Sequence, residues 1–126
     1  MAKEITVNCS LSVNNGNYSE SFSSGSPQFD QATQLAASGI VEVGTAVETI
    51  SLGEITTAGY AVFRNLSTAT AGTAYIALGA YVGTNLHEFV SLRRGQPSIL
   101  PLTPGVTVAA KAYGQANKLR YIILAE

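Results

Sequence analysis

The side chains that could do acid–base or nucleophilic chemistry are few and widely spaced in this chain. It has one histidine, His87, one aspartate, Asp30, and one cysteine, Cys9. A Ser-His-Asp hydrolase would need His87 and Asp30 beside a serine in a nucleophile elbow, and no serine lies in such a context. Cys9 would need His87 nearby to act as a thiol nucleophile. It falls in phase with apolar neighbours instead, which is typical of a buried free cysteine.

Metal and cofactor chemistry also finds little support in the residue types. Zinc needs three or four His, Cys or carboxylate ligands, and Cys9 with His87 supplies two. Glu42 and Glu48 lie on neighbouring predicted strands and form a candidate carboxylate pair, although two solvent-facing glutamates have the same spacing. The glycines in 79–83 lack the Lys-Ser/Thr of a phosphate-binding loop and indicate a bulge or close packing in a strand. We expect no catalytic residue, no metal and no cofactor.

Composition limits the classes of partner. Seven Lys plus Arg against eight Asp plus Glu give a net charge of −1, whereas nucleic-acid-binding proteins normally show a basic excess. No apolar run approaches the roughly 18 residues that cross a bilayer, and the first four residues lack the apolar core of a signal peptide. With 46% hydrophobic and 12% charged residues, the chain should fold, with some surface covered by neighbouring subunits. We expect a cytoplasmic fold with neither nucleic acid nor membrane as partner.

Alternation of apolar and polar residues predicts a hairpin near the beginning of the sequence. The odd-numbered residues from Ile5 to Val13 are apolar and the residues between them are polar. This pattern predicts a strand over 3–13 with one buried and one solvent-facing side. The Asn-Asn-Gly-Asn at 14–17 favours a tight turn, and 18–23 alternates again as the return strand.

Beyond residue 40, short strand patterns recur with turn residues between them. The whole sequence gives about nine or ten short strands and no helix, a pattern typical of an all-β fold. We predict a single antiparallel β-sandwich domain over 1–126, jelly-roll-like in the first place and immunoglobulin-like in the second. The segment 23–39 shows no clear periodicity and is predicted to be a long loop or arm. Pro97 and Pro101 suit an edge strand or the end of a strand.

Several runs of this sequence resemble small virion proteins of tailed bacteriophages. They are ISLGEI at 50–55, GYAVFRNL at 59–66, SILPL at 98–102 and LRYIIL at 119–124. The resemblance spans most of the chain and rests on structural rather than chemical motifs. It implies a β-rich structural protein of the virion, of the head decoration or cement type, assembled in the host cytoplasm.

A decoration subunit would stabilise the phage head through contacts with the major capsid protein or another virion protein, without catalysis. It would form a homo-oligomer, with a trimer favoured, and the arm at 23–39 would lie on a neighbour. The alternative is a tail or fibre component whose jelly roll binds a glycan, which an exposed aromatic platform would favour. The residues expected at the partner interface are Phe22, Pro27, Phe29, Arg93 and Arg94.

Overall fold

The computed structural model describes residues 3–66, 74–103 and 105–125. These residues form antiparallel strands and no helix, so the predicted all-β antiparallel class is confirmed. Tertiary contacts divide the chain into two compact units, residues 1–34 and 35–126. Among the described residues, each strand of the first unit pairs with another strand of that unit and with none of the second.

The first unit consists of two antiparallel sheets of two strands each, which we together call the ribbon. Its strands are β1 (Ile5–Thr6), β2 (Ser10–Asn15), β3 (Tyr18–Ser23) and β4 (Gln28–Phe29). β1 pairs with β4, and β2 pairs with β3 across a turn in which Gly16 has a φ of +60°. Positive φ at this position is what an Asn-Gly hairpin turn requires. The predicted hairpin is confirmed, although the first predicted strand is interrupted between β1 and β2.

An extra residue in the returning half of the ribbon lets Phe22 and Phe29 both pair with apolar residues of the first half. Three residues separate β1 from β2 and four separate β3 from β4, as at a β-bulge. Gly25 has a φ of +70° within the longer segment. As a result Ile5 pairs with Phe29 and Leu11 pairs with Phe22.

Two side-chain contacts hold the base of the ribbon. The backbone N–H of Lys3 donates to a carboxylate oxygen of Asp30 at 3.0 Å, and that of Gln31 donates to Glu4 at 3.0 Å. The bond from Gln31 lowers the pKa of the Glu4 carboxyl, because a hydrogen bond to the charged form favours that form. These two hydrogen bonds therefore join the beginning of the ribbon, at residues 3–4, to its end at residues 30–31.

The second unit contains two four-stranded antiparallel sheets. Its strands are β5 (Ala36–Val43), β6 (Glu48–Thr49), β7 (Ala58–Asn65), β8 (Tyr75–Val82), β9 (Asn85–Leu92), β10 (Pro97–Pro101), β11 (Val108–Tyr113) and β12 (Asn117–Ala125). One sheet has the order β10-β7-β12-β5 and the other β6-β11-β8-β9. Four hydrogen-bonded pairs are therefore nested: β5 with β12, β6 with β11, β7 with β10, and β8 with β9.

Inward-facing residues of both sheets form one hydrophobic core in the second unit. Phe63, Leu119 and Ile123 come from one sheet, and Ile76 and Leu78 come from the other. Each of these side chains is at most 2% exposed. Burial of such a side chain contributes about 1.5–3 kcal/mol, so the packing of the two sheets against each other stabilises this unit as a β-sandwich.

The loop or arm predicted over 23–39 is not a single irregular segment. β4 lies inside it, and its last residues, 36–39, begin β5. These residues are Ala-Ala-Ser-Gly, which have low β-propensity and give no hydrophobic alternation. Pairing with β12 along the whole of β5 makes them a strand, and local sequence carries no sign of that pairing.

β9 and β10 are the edge strands on one side of the second unit, one in each sheet. They are consecutive in the chain and joined by the turn at 93–96. β10 begins at Pro97 and ends at Pro101, as the sequence predicts for an edge. Since proline has no N–H to donate, these residues protect the edge from pairing with another strand.

Candidate functional site

The residues considered for catalysis are distributed over both units and both sheets of the second unit. Asp30 lies in the ribbon, where it accepts the bond from Lys3, and His87 is exposed on β9 of the second unit. Glu42 on β5 and Glu48 on β6 belong to different sheets, so the predicted carboxylate pair is not formed on neighbouring strands of one sheet. Within the described ranges, no three His, Cys, Asp or Glu side chains are grouped so that they could hold a metal ion. Nor does that part of the chain include a helix able to cross a bilayer.

The ribbon has one apolar and one polar face, and both are exposed. The register of β2 and β3 places four large apolar side chains on the same face, together with Glu20 and Asn15. We call these four the apolar face of the ribbon: Leu11, Val13, Tyr18 and Phe22. They are 72%, 40%, 58% and 62% exposed, respectively. The opposite face carries only serine and asparagine.

This exposure corrects part of the sequence-based expectation. The alternation along 3–13 predicts a strand with one buried side, and Ile5 is indeed buried at 8% exposure. Leu11 and Val13 follow the same alternation but are not covered, so the prediction is wrong for β2. A two-stranded hairpin is marginally stable in water without further packing. The apolar face is therefore a surface that gains stability when a partner covers it.

The second unit has its own exposed apolar feature, which we call the sandwich cleft. It is a cavity of about 370 Å³ whose lining is apolar except for Gly79 and Thr103. Phe63 and Leu78 of the hydrophobic core line this cavity, and so does Leu100 of β10. Other lining residues are Phe89, Val90 and Val106, of which Phe89 is 70% and Val106 is 37% exposed. The cleft thus opens to solvent beside an exposed aromatic ring.

A β-bulge presents Phe89 at the cleft. The pairing of β8 with β9 shifts between Leu78 and Gly79, which leaves Phe89 as an extra, unpaired residue of β9. Gly79 makes the bulge possible, because a Cβ at this position would lie 2.6 Å from the carbonyl carbon of His87. Bulges commonly re-aim a side chain at the edge of a sheet. The bulge or close packing predicted from the glycines in 79–83 is confirmed at Gly79.

Two tyrosines and two cations form a stack elsewhere on the second unit. The rings of Tyr75 on β8 and Tyr113 on β11 are 4.7 Å apart between centroids and 17° from parallel. The guanidinium of Arg93 lies 5.8 Å from the centroid of Tyr75, and the ammonium of Lys111 lies 4.9 Å from that of Tyr113. The rings are too close to admit a cation between them. The order of the stack is therefore Arg93, Tyr75, Tyr113, Lys111, with cation–π attraction at both ends.

The hydroxyl of Tyr113 donates a hydrogen bond to the carboxylate of Glu88. This bond and the nearby negative charge raise the pKa of Tyr113 from 10.0 to about 12. The protonated phenol is the form that the folded protein favours. The stabilising contribution of this bond is complete below the ordinary tyrosine pKa and is lost as the pH rises through the pKa of about 12.

We therefore expect one of the six tyrosines to ionise late in an alkaline titration followed by NMR or ultraviolet absorbance. In Glu88→Gln that tyrosine should ionise at a pH closer to 10.0, because the carboxylate charge is gone. Glu42→Gln, which changes an exposed glutamate on the other sheet, should leave the titration unchanged. If the late ionisation persists in Glu88→Gln, Glu88 does not control it.

The residues expected at the partner interface are all exposed. Phe22, Pro27 and Phe29 lie in the ribbon, and Arg93 and Arg94 lie in the turn between β9 and β10. The structure thus assigns three of them to one unit and two to the other. Sequence reasoning missed Leu11, which its alternation places in a core, and Phe89, whose bulge is signalled only by Gly79 on the neighbouring strand.

Comparison of the chain with protein-family models, with curated proteins and with solved structures found no match.

Proposed function

We propose that this protein is a non-enzymatic structural subunit of a tailed-phage virion, of the head decoration or cement type. It acts as a homo-oligomer, with a trimer favoured, and through contacts with the major capsid protein or another virion protein. The observation that carries the assembly role is that one chain exposes two separate apolar surfaces, the apolar face of the ribbon and the sandwich cleft. Large exposed apolar patches are rare on monomeric proteins and mark interaction sites.

The architecture of the second unit supports this role. Nested strand pairs arise when one long hairpin wraps into two sheets, and we infer from them that the second unit is a jelly roll. Jelly rolls occur in viral capsid proteins and also in lectins. The assignment to a virion rests on the resemblance of the sequence runs, and the exposed apolar surfaces supply the physical reason for assembly.

The alternative function is glycan binding by a tail or fibre component. The tyrosine stack, whose two rings are half-buried, is the feature that favours it, because aromatic rings offer an apolar face to a sugar. A sugar needs a free ring face, however, and Tyr75 and Tyr113 cover one face of each other. Arg93 and Lys111 occupy the outer faces. This occupation makes the decoration role the better supported of the two.

Sedimentation of the purified protein with tailed-phage shells assembled without a decoration protein tests the proposal. We expect saturable co-sedimentation with the shells, at a fixed number of copies per capsomer junction. Shells that already carry their decoration protein serve as the control and should bind little. A protein that stays in the supernatant with every shell, and instead is retained by immobilised glycans, would overturn the decoration role.

A further inference from the structure

We propose that copies of this chain assemble head to tail, with the apolar face of the ribbon of one copy seated in the sandwich cleft of the next. The occupant of the cleft is thus a second copy of the same chain. This inference rests on the homo-oligomeric part of the proposed function and names the surfaces that would make it. It does not depend on which other virion protein the oligomer contacts.

The two surfaces are complementary in form and chemistry. The ribbon offers the cross-strand pair of Leu11 and Phe22, the two most exposed side chains of its apolar face. The cleft offers an apolar cavity of about 370 Å³, near the lower end of the roughly 300–1,000 Å³ of ligand pockets. A cavity of this size suits inserted side chains. Pro97 and Pro101 keep the neighbouring edge from accepting a strand, so contact is made by side chains.

The area available favours this arrangement over the pairing of two ribbons. At about 150–250 Å² for a large aromatic side chain, the exposed fractions of the apolar face amount to roughly 400 Å². Two ribbons packed face to face would bury only that much per copy, about half of the roughly 800 Å² per partner in a stable interface. A head-to-tail contact buries about the same area per partner, but in a closed assembly every copy makes two such contacts, one through its ribbon and one through its cleft. Each copy is then held by two contacts, whereas a copy in a pair of ribbons is held by one.

Charge favours the same arrangement. The ribbon carries one basic residue, Lys3, against the three carboxylates of Glu4, Glu20 and Asp30, whereas residues 35–126 carry six basic and five acidic residues. Glu20 lies on the same face as the apolar side chains, so two ribbons packed face to face would bring like charges together in one interface. The unit that contains the cleft has no such excess of carboxylates. Like charges that face each other across an interface suppress that pairing.

Two complementary variants test the contact. The first, Leu11→Ser with Phe22→Ser, removes the ribbon surface and keeps the cleft. The second, Phe89→Asp, alters the cleft and keeps the ribbon. All three side chains are more than half exposed, so each variant should fold, as circular dichroism will verify. Each alone should sediment as a monomer, because loss of a central apolar anchor weakens association by about 30-fold or more.

The decisive result is expected from an equimolar mixture of the two variants in analytical ultracentrifugation. One intact ribbon and one intact cleft remain, so the mixture should form a heterodimer that cannot grow, whereas the unaltered protein forms a closed oligomer. Because a single contact holds the heterodimer, we expect it at higher protein concentration than the closed oligomer needs. Ser10→Ala with Ser21→Ala on the polar face of the ribbon should remain fully oligomeric. So should Ile40→Asp, which changes a 62% exposed residue on β5, at the opposite edge of its sheet from β10.

Three outcomes would overturn the inference: an unaltered protein that is monomeric, a mixture that sediments no faster than either variant alone even at the highest concentration reached, or Phe89→Asp dimerising by itself through its ribbons. Binding to shells separates this inference from the proposed function. A monomer that co-sediments with shells would support the decoration role and contradict the head-to-tail contact. A head-to-tail oligomer that does not bind shells would support the contact and contradict the decoration role.

Discussion

Replacing Gly79 by alanine is expected to lower the free energy of unfolding by about 3 kcal/mol, the upper end of the usual cost of overpacking. The new Cβ would collide with the carbonyl group of His87 and lie 2.9 Å from the Cα of Glu88. Both obstacles are backbone atoms of the bulged strand β9, so no side chain can rotate away to make room. The sheet must either open at the bulge or lose it, and Phe89 would no longer be presented at the sandwich cleft.

Gly39→Ala is the matched control for this substitution. Gly39 is also a strand residue of the second unit, and the nearest atom to a Cβ built there is the hydroxyl of Tyr121 at 3.4 Å. That contact is ordinary and involves the far end of a flexible side chain, so we expect almost no change in stability. Urea unfolding of the two variants measures the difference. Equal midpoints would show that β8 and β9 do not approach as closely at the bulge as described.

Asn65→Ala is expected to lower the free energy of unfolding by about 2 kcal/mol, within the range for a buried polar group that loses its partner. Asn65 is 1% exposed and its side-chain amide donates to the carbonyl oxygen of Leu92 at 2.8 Å. Its backbone also bonds Gln96 and Gly95 in the turn between β9 and β10. The side chain therefore fixes the end of β9 to the end of β7. Without it the Leu92 carbonyl loses its amide donor in a buried setting.

Asn117→Ala provides the contrast. Asn117 is likewise buried, at 5% exposure, but its amide nitrogen has no hydrogen-bond partner among the described residues. Removing an unsatisfied donor relieves a desolvation cost, so we expect a much smaller loss of stability, or a gain. Thermal unfolding of the two variants under identical conditions makes the comparison. A larger loss for Asn117→Ala than for Asn65→Ala would show that the hydrogen bond to Leu92 is not what stabilises this corner.

The hairpin of the ribbon could be predicted because its determinants are local. Asn15 and Gly16 supply a turn, and the alternation on both sides fixes which residues share a face. Alternation does not say whether that face is covered by the same chain, by another chain or by water. For this reason the sequence predicts the two strands of the hairpin but places Leu11 in a core, whereas the structure leaves it exposed.

The pairing of distant strands and the sandwich cleft could not be predicted in the same way. β5 begins with small residues that resemble a loop, and its strand conformation depends on β12 at the other end of the unit. Phe89 looks like any apolar residue of an alternating strand until the bulge opposite Gly79 is known. The cleft therefore follows from long-range register, for which the sequence offers a single glycine as a sign.

The nested strand pairs also determine the order in which the chain can fold as it is synthesised. β5 is the first strand of the second unit to leave the ribosome, and its partner β12 is the last. At about 5–20 residues per second, it waits several seconds for that partner, whereas the ribbon closes through contacts between near neighbours in the sequence. Non-local pairing of this kind slows folding. A nascent chain that stops before β12 therefore carries a finished ribbon and a sheet whose central strand is missing, which makes it a target for chaperones and proteases.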